Sequence, residues 1–150
     1  MKTLFNNSDA SEILQRIDKL TPTTKGQWGK MNVAQMMAHI NEAMETASGK
    51  KVIPPVSIIG RLIGKLLKKG ILGEKEWGKN SPTDKSYIFS SDVKFEEQKA
   101  KAVSSIKQFH DGGPGKCTKH PHPFFGDFTP EQWAVFQWKH LDHHLRQFGV

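Results

Sequence analysis

The sequence predicts an all-α fold, a four-helix bundle of up-down-down-up order with a long, partly helical crossover between its second and third main helices. Three observations carry that expectation. Apolar residues recur at helical spacing in four long stretches, two of those stretches open with strong capping signals, and no stretch alternates convincingly at strand spacing. The long connection can carry the chain from one end of a bundle to the other, which a simple meander would not need.

The first helix follows Leu4 and Phe5, with Asn7-Ser8-Asp9 as its cap, and Ile13, Leu14, Ile17 and Leu20 as its apolar stripe. Thr21-Pro22 stops it. Asn32 caps a second helix over residues 33–48, where Val33, Met36, Met37, Ile40, Met44 and Ala47 share one face and Gly49 closes the end. His39 lies on the flank of that face. Beyond Pro54-Pro55, residues 55–69 form a short basic amphipathic helix, with Ile58, Ile59, Leu62, Ile63, Leu66 and Leu67 on one side and Arg61, Lys65, Lys68 and Lys69 around the other. From Gly70 to Ser90 the chain reads as loop, punctuated at Asn80-Ser81-Pro82, and Tyr87-Ile88-Phe89 is too brief for a strand.

The third main helix starts near Asp92, carries Phe95, Val103, Ile106 and Phe109 inward, and ends before Gly112-Gly113. Thr129-Pro130-Glu131-Gln132 then opens the last helix, which runs to Phe148. It combines a Thr cap, Pro at the first helical position and Gln at the third. At 100° per residue, His140 and His144 share a face with Trp133, Phe136, Gln137 and Phe148, so both are expected to be substantially buried. His143 sits at the edge of that face. Asp142 and Lys139 point away from it, which makes Asp142 a poor candidate for direct catalysis.

Composition narrows the function classes. A chain of 150 residues, 36% hydrophobic and 25% charged, is expected to form a single domain over 1–150 with a core of its own. Lys2, Asp9, Glu12, Arg16 and Asp18 interrupt any apolar signal core near the N-terminus, so the expected location is cytoplasmic. Cys117 is the single cysteine, which excludes an intrachain disulfide and a thiolate-rich metal site, and a lone Cys here reads as an ordinary exposed thiol. A formal charge of +7 favours anionic partners only if it gathers on one face, and no aromatic-basic array or nucleic-acid motif accompanies it. No nucleic-acid partner is expected. The uncharged run Val52 to Gly60 is far too short to span a membrane. The amphipathic stretch fits a membrane surface, but packing against the bundle or a second subunit accounts for the same face and is the preferred reading.

The histidines are the informative residues. His140 and His144 are four apart on one helix, close enough to hold one metal ion. In the expected topology the second and last helices run antiparallel, which puts His39 and that pair each roughly 10 Å from the same end of the bundle. Three imidazoles then converge in one layer. The competing reading is a non-catalytic helical scaffold that binds a small molecule or metal, or whose histidines are ordinary hydrogen-bonded residues. Leu141 follows His140, so the His-Glu-x-x-His pattern of zinc proteases is missing. His120-Pro121-His122-Pro123-Phe124-Phe125-Gly126 reads as an ordered loop anchored by its aromatics, with His122 as an alternative fourth ligand or substrate contact.

At these residues the chain resembles a known family. The helix pattern, the His in the second helix and His140-x-x-His143-His144 in the last resemble the DinB/YfiT-like superfamily of metal-binding bundles. Trp28-Gly29-Lys30-Met31 leading to Met37-Ala38-His39, with His122-Pro123-Phe124-Phe125-Gly126 and residues 140–149, is similar to an uncharacterised bacterial branch of it. The resemblance implies a divalent metal, zinc or nickel foremost, held by His39, His140 and His144 with a position open to water or substrate. His122 and His143 would then contact substrate or support the ligands, and no catalytic residue is assigned. It also implies a small-molecule substrate, a homodimer, and thiol-dependent transferase or hydrolase chemistry drawing on a low-molecular-weight thiol. The superfamily ending Arg-Gly-Gln is displaced here by Leu145 before Arg146 and Gln147, so no role carries over to either. An all-histidine site of ordinary basicity should lose its metal as pH falls below about 6.5.

Overall fold

A computed structural model describes residues 1–81, 83, 87–89 and 92–150. Among them are five α-helices and no named strand: α1 (Asn7–Asp18), α2 (Val33–Ala47), α3 (Ile58–Leu72), α4 (Phe95–Gly112) and α5 (Pro130–Gln147). A 3-10 turn, Gly113–Lys116, follows α4.

Local chemistry sets the ends. The Asn32 side chain accepts from the N–H of Gln35 while the Gln35 side chain accepts from the Asn32 N–H, and Thr129 and Gln132 do the same for α5. Past α5, Gly149 takes φ of 79°, the left-handed value that a helix exit requires. The α1 cap is Asn6, which accepts from Ser8 and Asp9, rather than the Asn7-Ser8-Asp9 cluster. α1 closes at Asp18, and Leu20 reaches the core from beyond the helix. α4 starts at Phe95, three residues after Asp92, with no side-chain cap. In the long connection α3 is displaced from the expected 55–69: Ser57 caps it, and it continues through Leu72. Pro82 of the expected turn and Ser90 at the expected loop end lie outside the described residues.

The core is α2 surrounded. Twelve of its fifteen residues are buried, which fits a helix packed on more than one side. It packs against α4 and α5, and α1 packs against the same two helices. Side-chain contacts give the relative direction of each pair. Asn41 meets Gln98 and Lys50 meets Gln108, so α2 and α4 run the same way. His39 meets His140 while Gln137 donates to the Ala43 carbonyl oxygen, so α2 and α5 run oppositely. Leu4 N–H bonds to Ala134 and Arg16 pairs with Asp142, which makes α1 and α5 parallel.

Of the two expected placements for the apolar face of α3, against the bundle or against a second subunit, the first does not hold. The helix leans on the body through its glycine side, where Gly64 is the one buried residue. A Cβ on Gly64 would stand 1.9 Å from the carbonyl oxygen of Phe124, so only glycine permits this approach. Ile58, Ile59, Leu62, Ile63, Leu66 and Leu67 consequently face outward.

Candidate three-histidine metal site

The antiparallel meeting of α2 and α5 brings three imidazoles together. His39 Nε2 lies 2.9 Å from His140 Nε2, and His144 Nε2 lies 3.1 Å from the same atom. One nitrogen from each ring falls within 4.8 Å of the others, and the group can hold a metal ion. His39 and His144 are buried, at 5% and 8% exposure, and His140 is half-buried.

Hydrogen bonds on the far side of two rings decide what they present to each other. His39 Nδ1 is 3.0 Å from the carbonyl oxygen of Tyr87, which can only accept, so Nδ1 carries the hydrogen and Nε2 a lone pair. His144 Nδ1 is 2.8 Å from Gln147 Oε1. That amide is oriented by its nitrogen, which donates to the Trp28 carbonyl oxygen at 2.8 Å, so His144 also presents a bare Nε2. Neutral His140 has at most one Nε2 hydrogen to share between two lone pairs, and its Nδ1 is buried without a hydrogen-bond partner among the described residues. The polar chemistry does not close on itself. A cation among the three Nε2 atoms would take up their lone pairs, since two nitrogens each 2.0–2.1 Å from one ion stand roughly 3 Å apart, and the Nδ1–H donations of His39 to Tyr87 and of His144 to Gln147 are the support that metal-bound imidazoles usually have; His140 would then carry its hydrogen on Nδ1.

Electrostatics favour the neutral, ligating form. Burial lowers the pKa of all three; in His39 the Tyr87 contact opposes it in part. His140 is held well below its ordinary value by burial and then by His144 and His39. His144 falls to about 3 through burial and the neighbouring His39.

Trp77, just beyond α3, covers the cluster. Its ring lies 5.9 Å from His140 and 5.1 Å from Phe136, and its Nε1–H donates to the Ile71 carbonyl oxygen. His143 stands outside the cluster, 5.2 Å from the His144 ring, in a cleft lined by Trp28, Trp77, Lys79 and Arg146 among others. Asp142 faces away as expected, bound to Arg16 at 2.8 Å and to Arg146 at 3.2 Å.

His122 is placed elsewhere. Its Nδ1 accepts from the N–H groups of Phe124 and Phe125, both at 3.2 Å, and its backbone pairs with Gly126 in both directions. The rings of Phe125, Phe128, Trp133 and Phe136 enclose it, and burial brings its pKa down to about 3. It builds the loop and is not one of the three clustered histidines. Cys117 is half-buried rather than exposed, with burial and Glu131 raising its thiol to about 11, the opposite of an activated nucleophile.

Two residues of the site escaped the sequence reading. Gln147 orients His144 across an i, i+3 step that was legible in the helix pattern. The Tyr87 carbonyl comes from a loop far along the chain, and no spacing rule signals it.

No curated protein and no solved structure matches the chain. A family model does match, over residues 2–149, and the chain belongs to that family, described as a protein of unknown function (DUF1569).

Proposed function

We propose that this chain is an up-down-down-up four-helix bundle of the DinB/YfiT-like kind that works as a divalent-metal-dependent enzyme. The ligands are His39, His140 and His144, and the chemistry is thiol-dependent transfer or hydrolysis on a small molecule. The relative directions of α1, α2, α4 and α5 support the bundle. One observation carries the metal: two imidazoles whose Nδ1 atoms are committed to Tyr87 and Gln147 aim bare Nε2 lone pairs at a third. Imidazole donors suit zinc or nickel. A divalent ion there would supply Lewis acidity and lower the pKa of a thiol or water reaching it.

The chain's own residues do the rest. Tyr87 and Gln147 fix the ring orientations, and Trp77 with Phe136 keeps bulk water from the His140 side. The cleft between Trp28 and Trp77, with His143 on its wall, admits the substrate; Arg146 there is paired to Glu76 and Asp142, and Lys79 lies over the Trp28 ring. Cobalt(II) tests the thiol reading directly. Protein loaded with cobalt and given bacillithiol, mycothiol or glutathione should develop a sulfur-to-cobalt charge-transfer band in the near ultraviolet. No band with any of the three, in cobalt-loaded protein, removes the thiol-transfer reading.

A further inference from the structure

α3 is amphipathic, yet it is mounted the wrong way round for a bundle helix. Its body-facing side is glycine, half-buried cations and, in the last turn, half-buried Ile71 and Leu72, while the large apolar residues before them face solvent: Ile58 is 80% exposed, Ile59 71%, Leu66 82% and Leu62 59%. On the helix wheel Ile58, Leu62, Leu66, Ile59, Ile63 and Leu67 follow one another around a continuous half-turn, so they form one strip rather than scattered positions. Exposed Lys65 borders it beside Ile58, and exposed Lys69 falls between Ile58 and Leu62 on the wheel, toward the C-terminal end of the helix.

The charge along this segment of chain has one sign. Between Lys50 and Gly73 there is no Asp or Glu, against six cations, Lys50, Lys51, Arg61, Lys65, Lys68 and Lys69, in a chain whose whole formal charge is +7. Lys51 is paired to Glu42, and Lys68 sits over the Phe128 ring, 5.0 Å from its centroid. Lys50, Lys65 and Lys69 are exposed and have no carboxylate partner among the described residues, Lys50 donating to Gln108 instead. A second copy seated on this strip would bring Lys65 and Lys69 against their counterparts with no acidic residue on the helix to pair them. An anionic partner with an apolar layer beneath its charge matches both features at once.

We infer that α3 docks the protein on the surface of an anionic phospholipid bilayer, its Ile and Leu strip entering the boundary between headgroups and acyl chains and its lysines meeting lipid phosphates. The helix lies in the interface. At 15 residues it is about 22 Å long, short of the roughly 30 Å apolar thickness, and no described helix is long and apolar enough to cross a membrane.

The test is co-sedimentation of the full chain with vesicles of phosphatidylcholine alone and of phosphatidylcholine mixed with phosphatidylglycerol. Binding should favour the mixed vesicles by about tenfold or more, and fall when added salt shortens the screening length from about 10 Å to about 3 Å. Leu62→Gln/Leu66→Gln and Lys65→Gln/Lys69→Gln should each weaken it about tenfold, with helix content and melting temperature kept, because all four positions are exposed and Gln is a good helix former. Equal, weak binding to both vesicle types would overturn the inference. So would a stable dimer in solution that Leu62→Gln/Leu66→Gln splits into monomers, since the strip would then belong to a second copy.

Discussion

Gln147 accepts a hydrogen bond from His144 Nδ1 at 2.8 Å while its own amide nitrogen is held by the Trp28 carbonyl oxygen at the same distance. The pair ties the last turn of α5 to the Trp28-Gly29 loop, and it selects the His144 tautomer that faces the cluster. Gln147→Leu should weaken zinc binding by about 10- to 100-fold, whereas Gln147→Glu, which keeps an acceptor for Nδ1, should restore most of it. Isothermal titration of both variants checks this. Equal affinities in wild type and Gln147→Leu would remove Gln147 from the site.

Gly64 decides how α3 attaches. Gly64→Ala places a methyl carbon against the Phe124 carbonyl, and backbone cannot yield as a flexible side chain does. The expected loss is about 1–3 kcal/mol by chemical denaturation, together with faster proteolytic cleavage within residues 58–72. A variant as stable and as resistant as wild type would mean that α3 does not rest on this glycine.

Acid should destabilise the metal-free protein earlier than carboxylates alone would. His122 and His144 are each lowered to about 3 in the fold, chiefly by burial, against an ordinary 6.5. Below 6.5 the unfolded chain binds these protons and the folded chain does not. Their contribution is therefore complete above about pH 6.5 and is lost progressively as pH falls toward 3, with a limiting slope of about 1.4 kcal/mol per pH unit for each histidine. His122→Asn, whose side-chain oxygen can still accept from Phe124 and Phe125, should flatten the urea midpoint between pH 6 and 4. An unchanged slope in that variant would contradict a buried neutral His122.

The same burial revises the pH at which metal should leave. Ordinary imidazoles would begin to lose it near 6.5, but His39, His140 and His144 are all held below that value, so protons compete only at lower pH. Zinc binding at pH 6.5 should displace almost no imidazole protons, where three unperturbed histidines would release about one and a half. Titration heats in buffers of different ionisation enthalpy count those protons. A release above one would show that the rings are not neutral beforehand.

The helices that hold the site were legible because their signals are local. Asn32 as a cap, and Thr129 with Gln132, announce their helices locally, and the i, i+4 step from His140 to His144 is a property of one turn. His39 was reachable by counting from its cap to a shared end. What stayed hidden is set across the chain. The glycine-side mounting of α3 depends on the Phe124 carbonyl, the Asn6 cap competed with three equally good neighbours, and the Tyr87 carbonyl reaches His39 from 48 residues away. Hydrophobic periodicity says that a helix has an apolar face, and it does not say what the face meets.

Elemental analysis of untagged protein prepared without chelator, beside His39→Ala and His140→Ala/His144→Ala, tests the central claim most directly. About one divalent ion per chain in wild type, lost in both variants while their helix content stays, is the result expected of three imidazoles sharing one ion. Wild-type protein that carries no metal and takes up neither zinc nor nickel when they are added would contradict it, and would leave His39, His140 and His144 as structural residues of a helical scaffold.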